Sequence, residues 1–128
     1  MTIPTWSDKT ILIVEDDEIS LEFLTELLLP SKVKIVTAQD GQSAINICKE
    51  EISIDLVLMD VRLPKINGRE AMLEIKKNRP ELPVIAQTAF AMSGDKEKYL
   101  ESGFDDYVSK PIIMDEILTK ISKFLSDK

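Results

Sequence analysis

The chain has 128 residues, the length of one typical domain, of which 44% are hydrophobic and 30% charged. A formal charge of -7 at pH 7, from 16 basic and 23 acidic residues, argues against direct binding to nucleic acid. No apolar run approaches the ~20 residues that cross a bilayer and no signal peptide opens the chain, so we expect a cytoplasmic protein without membrane insertion.

After an N-terminal tail at residues 1–8, β-branched and apolar runs alternate with segments of helical periodicity. The runs predict five strands, which are Thr10 to Val14, Val33 to Ala38, Ile54 to Met59, Val84 to Thr88 and Asp106 to Ser109. Several runs lack strict alternation of apolar and polar residues. This is typical of strands that are covered on both faces of a parallel sheet.

The segments between and after the strands predict five helices. The first three carry apolar stripes formed by Phe23, Leu24, Leu27 and Leu28, by Ala44, Ile45 and Cys48, and by Ala71, Met72 and Ile75. Pro30 is expected to end the first helix, and Asn67-Gly68 to open the third. The fourth helix, Ser93 to Ser102, has a thin stripe, and the last helix has the clearest one, from Ile113 to Leu125.

Strict alternation of strands and helices predicts an α/β fold of the doubly wound (βα)5 type. Its five-stranded parallel sheet would lie between two layers of helices, in the flavodoxin-like three-layer α/β/α arrangement. Ligands of such sheets bind beyond the carboxyl ends of the strands. Candidate functional residues are therefore those that follow the strands.

Acidic, hydroxyl and basic residues stand at these strand ends. They are Glu15, Asp16 and Asp17 after the first strand, Asp60 at the end of the third, Thr88 at the end of the fourth and Lys110 after the fifth. Clustered carboxylates repel one another and require either a cation or raised pKa values. The chain has no histidine and one cysteine, and oxygen ligands alone favour Mg²⁺ over zinc.

Beside such a cation, Asp60 could attack a phosphorus atom in line and form an aspartyl phosphate. The Lys110 ammonium and the Thr88 hydroxyl would face the phosphoryl oxygens, where negative charge develops. Each residue taken singly has a structural explanation, such as capping the next helix. Their joint occurrence at successive strand ends favours the formation of an aspartyl phosphate.

Four motifs at these positions resemble the receiver domain of two-component response regulators. They are Ile11-Leu12-Ile13-Val14-Glu15-Asp16-Asp17, Met59-Asp60-Val61-Arg62-Leu63-Pro64 running to Asn67-Gly68, Thr88-Ala89, and Asp106-Tyr107-Val108-Ser109-Lys110-Pro111. The resemblance covers residues 9–128 and is especially close to receivers of hybrid sensor histidine kinases. If the chain is complete, it has no output domain and would act by binding a partner or passing the phosphoryl group on.

The resemblance implies a role for each matching residue at the acidic end of the site. Asp60 would be the phosphoacceptor. Glu15 and Asp16 would hold Mg²⁺ together with Asp60 and the backbone carbonyl of Arg62. Asp17 would cap the first helix instead of binding the metal.

It also implies a switch. Lys110 would pair with the phosphate, Thr88 would be drawn toward it, and Tyr107 would change rotamer with Thr88. The Lys110-Pro111 bond would be cis. These movements would reshape the surface of the fourth helix, fifth strand and last helix, which would bind a downstream protein target or a second copy of the chain.

The implied partner is a sensor histidine kinase or a histidine phosphotransfer protein, since the chain has no histidine of its own. The domain would be a signalling phosphoacceptor and not an enzyme, with at most Mg²⁺-dependent self-phosphorylation and self-dephosphorylation. Two positions depart from fast-cycling receivers, namely Arg62 and Phe90. We expect both to affect the lifetime of the phosphoryl group, with Phe90 shielding it from hydrolysis.

Three other classes of protein fit parts of this pattern. An aspartate-nucleophile phosphohydrolase needs a second aspartate two residues after the first, where this chain has Arg62. A flavodoxin-like nucleotide binder needs a Ser/Thr/Gly-rich loop after the first strand, where Glu15-Asp16-Asp17 would repel phosphate. A receiver-fold module that takes no phosphate and serves only as a binding platform stays open as the alternative.

Overall fold

The structure, a computed structural model, describes residues 4–50, 53–63, 65–88 and 95–125. Within them lie five strands: β1 Thr10–Val14, β2 Lys34–Ala38, β3 Leu56–Asp60, β4 Val84–Thr88 and β5 Asp106–Ser109. The α-helices of the same residues are α1 Glu18–Leu28, α2 Gly41–Glu50, α3 Gly68–Asn78, α4 Asp95–Ser102 and α5 Met114–Leu125, and a 3-10 turn at Leu29–Ser31 follows α1. None of these described helices combines the length and the apolar composition that a membrane span requires.

The strands form one sheet in the order β2-β1-β3-β4-β5, and every neighbouring pair is parallel. The chain moves outward from β1 to β2, then crosses back to β3 and continues in the other direction. This reversal leaves a crevice beyond the carboxyl ends of β1 and β3, where ligands of such sheets bind. The predicted doubly wound parallel sheet is confirmed.

Buried residues form one core on each face of the sheet. The α2 and α3 side contains Ala44, Cys48, Met72 and Ile75 against the sheet. The opposite core is filled by the following residues of α1 and α5: Leu24, Leu27, Leu28, Ile117, Leu118, Ile121 and Leu125. Both faces are covered by helices, which confirms the three-layer arrangement and explains why β1, β3 and β4 are buried at every position.

The predicted bounds of the first, fourth and fifth strands agree with the structure, and two others differ. The second strand begins at Lys34, one residue later than predicted. The third runs from Leu56 to Asp60 and not from Ile54 to Met59. Just before it, the Asp55 side chain accepts a hydrogen bond from the Thr10 amide at 2.8 Å. For the fourth helix, the predicted start at Ser93 lies outside the described residues.

Two apolar residues that the sequence assigns to buried stripes lie at the surface. Phe23 is 49% exposed and Ile113 is 61% exposed. Helix α1 buries Leu24, Leu27 and Leu28, and Phe23 projects about 100° around the helix from Leu24. Ile113 precedes the first residue of α5 and so lies outside its buried stripe. The assignment of these two side chains to the core was wrong.

Trp6, within the segment assigned to an N-terminal tail, is buried in the core on the α1 and α5 side. Its amide donates to the Ser31 carbonyl at 2.7 Å, and its own carbonyl accepts from the Lys9 amide at 3.0 Å. These bonds fix Trp6 at the amino edge of the sheet, where β1 and β2 begin.

Candidate functional site

Three carboxylates meet at the carboxyl edge of the sheet. Glu15 and Asp16 follow β1, and Asp60 ends the neighbouring strand β3, so parallel pairing brings them to one place. One oxygen from each lies within 4.8 Å of the others. Glu15 and Asp60 are buried, whereas Asp16 faces the solvent. The Arg62 amide donates to Asp60 Oδ1 at 3.0 Å, which holds the Asp60 side chain against its own loop.

Lys110 supplies a positive charge to this cluster from the loop after β5. Its Nζ lies 3.3 Å from Glu15 Oε1 and 3.5 Å from Asp60 Oδ2. The Lys110 amide donates to the Thr88 carbonyl at 2.8 Å, which ties this loop to the end of β4. The Lys110-Pro111 bond is cis, as the resemblance implies.

The surroundings of this cluster shift the pKa values of Glu15 and Lys110. Burial, with the hydrogen bond and the charge of Asp60, raises the pKa of Glu15 to about 7, against a smaller opposing effect of Lys110. Burial by itself would lower the pKa of Lys110, but the charges of Asp60 and Glu15 outweigh it and raise that pKa. The site therefore holds a carboxyl group that is half-protonated near neutral pH until a cation replaces the proton.

Thr88 lies on β4, the strand next to that of Asp60, and Tyr107 lies on β5, one strand further out. Thr88 is buried at the end of β4, opposite Ser109 of β5. Tyr107 lies opposite Ala86 and packs half-buried against the core on the α2 and α3 side. Both residues are therefore linked to Lys110 through the backbone. Thr88 accepts the hydrogen bond of the Lys110 amide, and Tyr107 precedes Lys110 by three residues.

The Tyr107 carbonyl accepts a hydrogen bond from the ammonium of Lys120 on α5. The same ammonium lies 4.5 Å from the centre of the Tyr107 ring and 3.6 Å from Asp106 Oδ1. The sequence analysis missed Lys120, although its place beside the apolar stripe of an amphipathic helix, directly before Ile121, could have indicated a contact with the sheet. These contacts of Lys120 restrict Tyr107, the residue that the resemblance expects to change rotamer.

Asp17 caps α1, as predicted. Its Oδ2 accepts hydrogen bonds from the Ser20 amide at 3.0 Å and the Ser20 hydroxyl at 2.7 Å. These bonds, with the hydroxyl contributing most, lower the pKa of Asp17. A carboxylate engaged in this way is turned toward its own helix, and the cluster of described carboxylates that could hold a metal ion leaves it out.

The turn from β3 to α3 is built around Gly68. Asn67 caps α3 in a reciprocal capping box with Glu70, and the Gly68 amide donates to the Val61 carbonyl at 3.0 Å. A Cβ atom on Gly68 would lie 2.3 Å from the Asp60 carbonyl oxygen. Only glycine therefore lets the start of α3 pass this close to the backbone of Asp60.

The structure thus brings together Glu15, Asp16, Asp60 and Lys110 as the sequence analysis predicts. The Arg62 side chain is exposed. Phe90 lies outside the described residues, and its predicted shielding role stays a prediction.

Comparison with known proteins agrees with this architecture and site. Residues 11–122 match the family model described as the response regulator receiver domain. The chain belongs to this family. It is a receiver domain of two-component signalling systems, with the acidic cluster in the crevice of the sheet.

Relatives and solved structures of this family span nearly the whole receiver domain. The polar-differentiation response regulator DivK of Brucella ovis is 35% identical over 121 residues, covering 93% of this chain and 98% of that protein. A receiver domain of a Pseudomonas aeruginosa sensor histidine kinase, solved with a magnesium ion in its active-site cleft, is 30% identical, with a TM-score of 0.84 over 93% of this chain and 98% of that one. The Saccharomyces cerevisiae receiver of Ssk1, crystallised with the histidine phosphotransfer protein Ypd1, is 31% identical. Its TM-score is 0.83, and the match covers 98% of this chain and 92% of that one.

Proposed function

We propose that Asp60 of this receiver domain accepts a phosphoryl group from a phosphohistidine of a partner protein. The observation that carries the proposal is the convergence of the Glu15, Asp16 and Asp60 carboxylates within 4.8 Å, with the Lys110 ammonium 3.5 Å from Asp60. A purely structural ion pair would not need a third carboxylate, that of Asp16, beside the two that Lys110 contacts. Their excess negative charge favours a cation and, through it, a phosphoryl group.

The donor set fits Mg²⁺. The carboxylates of Glu15, Asp16 and Asp60 would hold it, with the Arg62 carbonyl as a further ligand, and hard oxygen ligands without sulfur or imidazole are what this ion prefers. When bound, Mg²⁺ supplies the positive charge that offsets repulsion between the carboxylates and an incoming phosphoryl group. The magnesium ion of the Pseudomonas relative's cleft supports this assignment by analogy.

In the transfer, an Asp60 carboxylate oxygen forms a bond to phosphorus while the phosphorus–nitrogen bond of the phosphohistidine breaks. The bonding electron pair returns to the imidazole nitrogen of the partner, and the product is an aspartyl phosphate on this chain. Lys110 would then exchange its contact with Asp60 for the phosphoryl oxygens. The Thr88 hydroxyl would approach the same oxygens from the end of β4.

Incubation with acetyl phosphate tests the function without a partner. With Mg²⁺, intact-protein mass should increase by one phosphoryl group, and removing the ion with EDTA should prevent the increase. Equal mass with and without acetyl phosphate, at saturating Mg²⁺, would favour the alternative of a receiver-fold binding module that takes no phosphate.

Mg²⁺ affinity should depend on pH near neutrality, because the ion must displace the proton from Glu15. The pKa of this group is about 7, so its protonated form dominates below that pH and its ionised form above it. Titration calorimetry should give an affinity that falls by about tenfold per pH unit as the pH drops below 7 and changes little above 8. Glu15→Gln should bind more weakly with a flat profile, and an equally steep profile in that variant would contradict the assignment.

The phosphodonor is a sensor histidine kinase or a histidine phosphotransfer protein. The likeness to the Ssk1 receiver, solved with Ypd1, supports this class of partner. The domain is a signalling phosphoacceptor whose own chemistry is limited to Mg²⁺-dependent gain and loss of phosphate. We assign it to residues 9–128, with Arg62 and Phe90 as determinants of phosphate lifetime and a cytoplasmic location as the sequence predicts.

Phosphorylation is proposed to act on the surface of α4, β5 and α5. Movement of Thr88 would free Tyr107 to turn inward, against the restraint of its Lys120 contact. Sedimentation with Mg²⁺ and beryllofluoride should reveal a dimer or tighter binding to a downstream protein. If the sedimenting mass and the partner affinity are identical with and without beryllofluoride, this surface does not respond to phosphorylation.

A further inference from the structure

A buried glutamine faces a cavity on the other side of the sheet from Tyr107. Gln87 of β4 is fully buried, and neither its Oε1 nor its Nε2 has a hydrogen-bond partner within the described part of the chain. Its strand neighbour two residues earlier, Ile85, belongs to the core on the α1 and α5 side, so alternation directs Gln87 to that side too. A buried primary amide without partners is costly and rare, and it calls for a binding partner.

The cavity in front of this amide has a volume of about 350 Å³, within the range of small-molecule sites. Its walls are apolar and come from two elements: Ile19, Phe23 and Leu24 of α1, and Pro111 and Ile112 after β5. Phe23 and Ile19 are the exposed side chains that the α1 stripe leaves out of the core.

Other polar groups along the wall are already engaged. The Ser20 hydroxyl donates to Asp17, and the Lys110 ammonium contacts Glu15 and Asp60. Among the described side chains that line the cavity, the unpartnered polar groups are therefore the amino group and the carbonyl oxygen of the Gln87 carboxamide. A charged ligand would lose hydration against the apolar walls without a counter-charge, so the complementary group is neutral.

We propose that this cavity binds a small neutral ligand that has an apolar ring and one amide or lactam edge. The ring would lie between Phe23 and Pro111. The Gln87 carboxamide, whose polar atoms are closed off in this structure, would turn to the cavity surface and exchange two hydrogen bonds with the amide edge of the ligand. A carboxamide is the matching group because it also carries a donor beside an acceptor.

The ligand would share a wall with the phosphorylation site. Lys110 and Pro111 line the cavity, and the Lys110 ammonium contacts Asp60, so occupancy and phosphorylation should influence each other. This coupling rests on the proposed function, whereas binding itself does not.

Benzamide and toluene provide matched probes, since they share a ring and differ in the amide. They would be titrated into the ¹⁵N-labelled full chain, unphosphorylated and free of Mg²⁺, and followed by NMR. Benzamide should shift the Gln87 side-chain amide and the backbone amides of Leu24 and Ile112. Gln87→Met, which keeps the volume, should weaken benzamide by about tenfold, the factor of one net hydrogen bond, and leave toluene binding unchanged.

Gln42→Met, an exposed glutamine on α2, is the control and should bind both probes as the parent does. The Gln87→Met variant should also melt at or above the parent temperature, since it removes an unpartnered buried amide. Absence of any benzamide shift at Gln87 in the parent would mean that the cavity holds water only and would overturn the proposal. So would equal benzamide affinity in Gln87→Met. Acetyl phosphate treatment of the same variants, after addition of Mg²⁺, reports separately on Asp60.

Discussion

Replacing Asp60 with asparagine should abolish phosphorylation by acetyl phosphate or by a phosphohistidine partner. The amide that replaces the carboxylate has no negatively charged oxygen to attack phosphorus, and the change also removes one of the three carboxylates proposed to hold the metal ion. Intact mass after incubation with Mg²⁺ and acetyl phosphate should increase in the parent and stay constant in the variant.

The loss should not come from unfolding. Glu15 and Asp60 are two acidic groups in contact, and Lys110 keeps Glu15 as a partner when Asp60 becomes neutral. The metal-free variant should therefore melt no lower than the parent. Asp115→Asn, at an exposed position in the first turn of α5, is the matched control and should be phosphorylated normally. An Asp60→Asn protein that still gains a phosphoryl group would place the acceptor elsewhere.

Gly68→Ala should be the most damaging single methyl addition in the β3–α3 connection. The new Cβ would lie 2.3 Å from the Asp60 carbonyl oxygen and 2.8 Å from the Val61 Cα, and neither backbone atom can move without shifting β3 or α3. We expect a loss of about 3 kcal/mol in the free energy of unfolding, measured by urea denaturation. The displaced Asp60 should also accept phosphate more slowly.

Gly41→Ala is the matched comparison because Gly41 likewise begins a helix, α2. There the nearest atom to a Cβ is the Ile66 carbonyl oxygen at 3.0 Å, which a shift of a few tenths of an ångström relieves. The expected loss is about 1 kcal/mol or less. Equal stability of the two variants would mean that the approach of α3 to Asp60 is not a constraint on the fold.

The sheet and the acidic cluster could both be predicted from the sequence, and the physical reason is the same for both. Strands buried on both faces appear as short apolar runs, and in a parallel sheet their carboxyl ends share an edge, so residues far apart in sequence must meet. Glu15, Asp60 and Lys110 are positioned by backbone topology alone, before any side-chain detail is known.

Side chains whose environment depends on packing were harder to predict. Phe23 and Leu24 both fit an apolar stripe, and only the contact with the sheet decides that Leu24 is buried and Phe23 exposed. Trp6 stands in a polar segment without periodicity, so its burial has no local signal. Gln87 did have a local signal for burial, which was overlooked. It is a polar residue inside the run from Val84 to Thr88, whose pattern predicts burial on both faces.

The burial of Trp6 determines what optical spectroscopy can detect. It is the sole tryptophan of the chain and is fixed at the amino edge of the sheet, opposite the edge that carries Asp60. Its emission should change sharply when the domain denatures and should remain almost constant when the carboxylates bind an ion. Intrinsic fluorescence is thus suited to recording unfolding curves, and occupancy of the acidic crevice requires a label placed near the opposite edge.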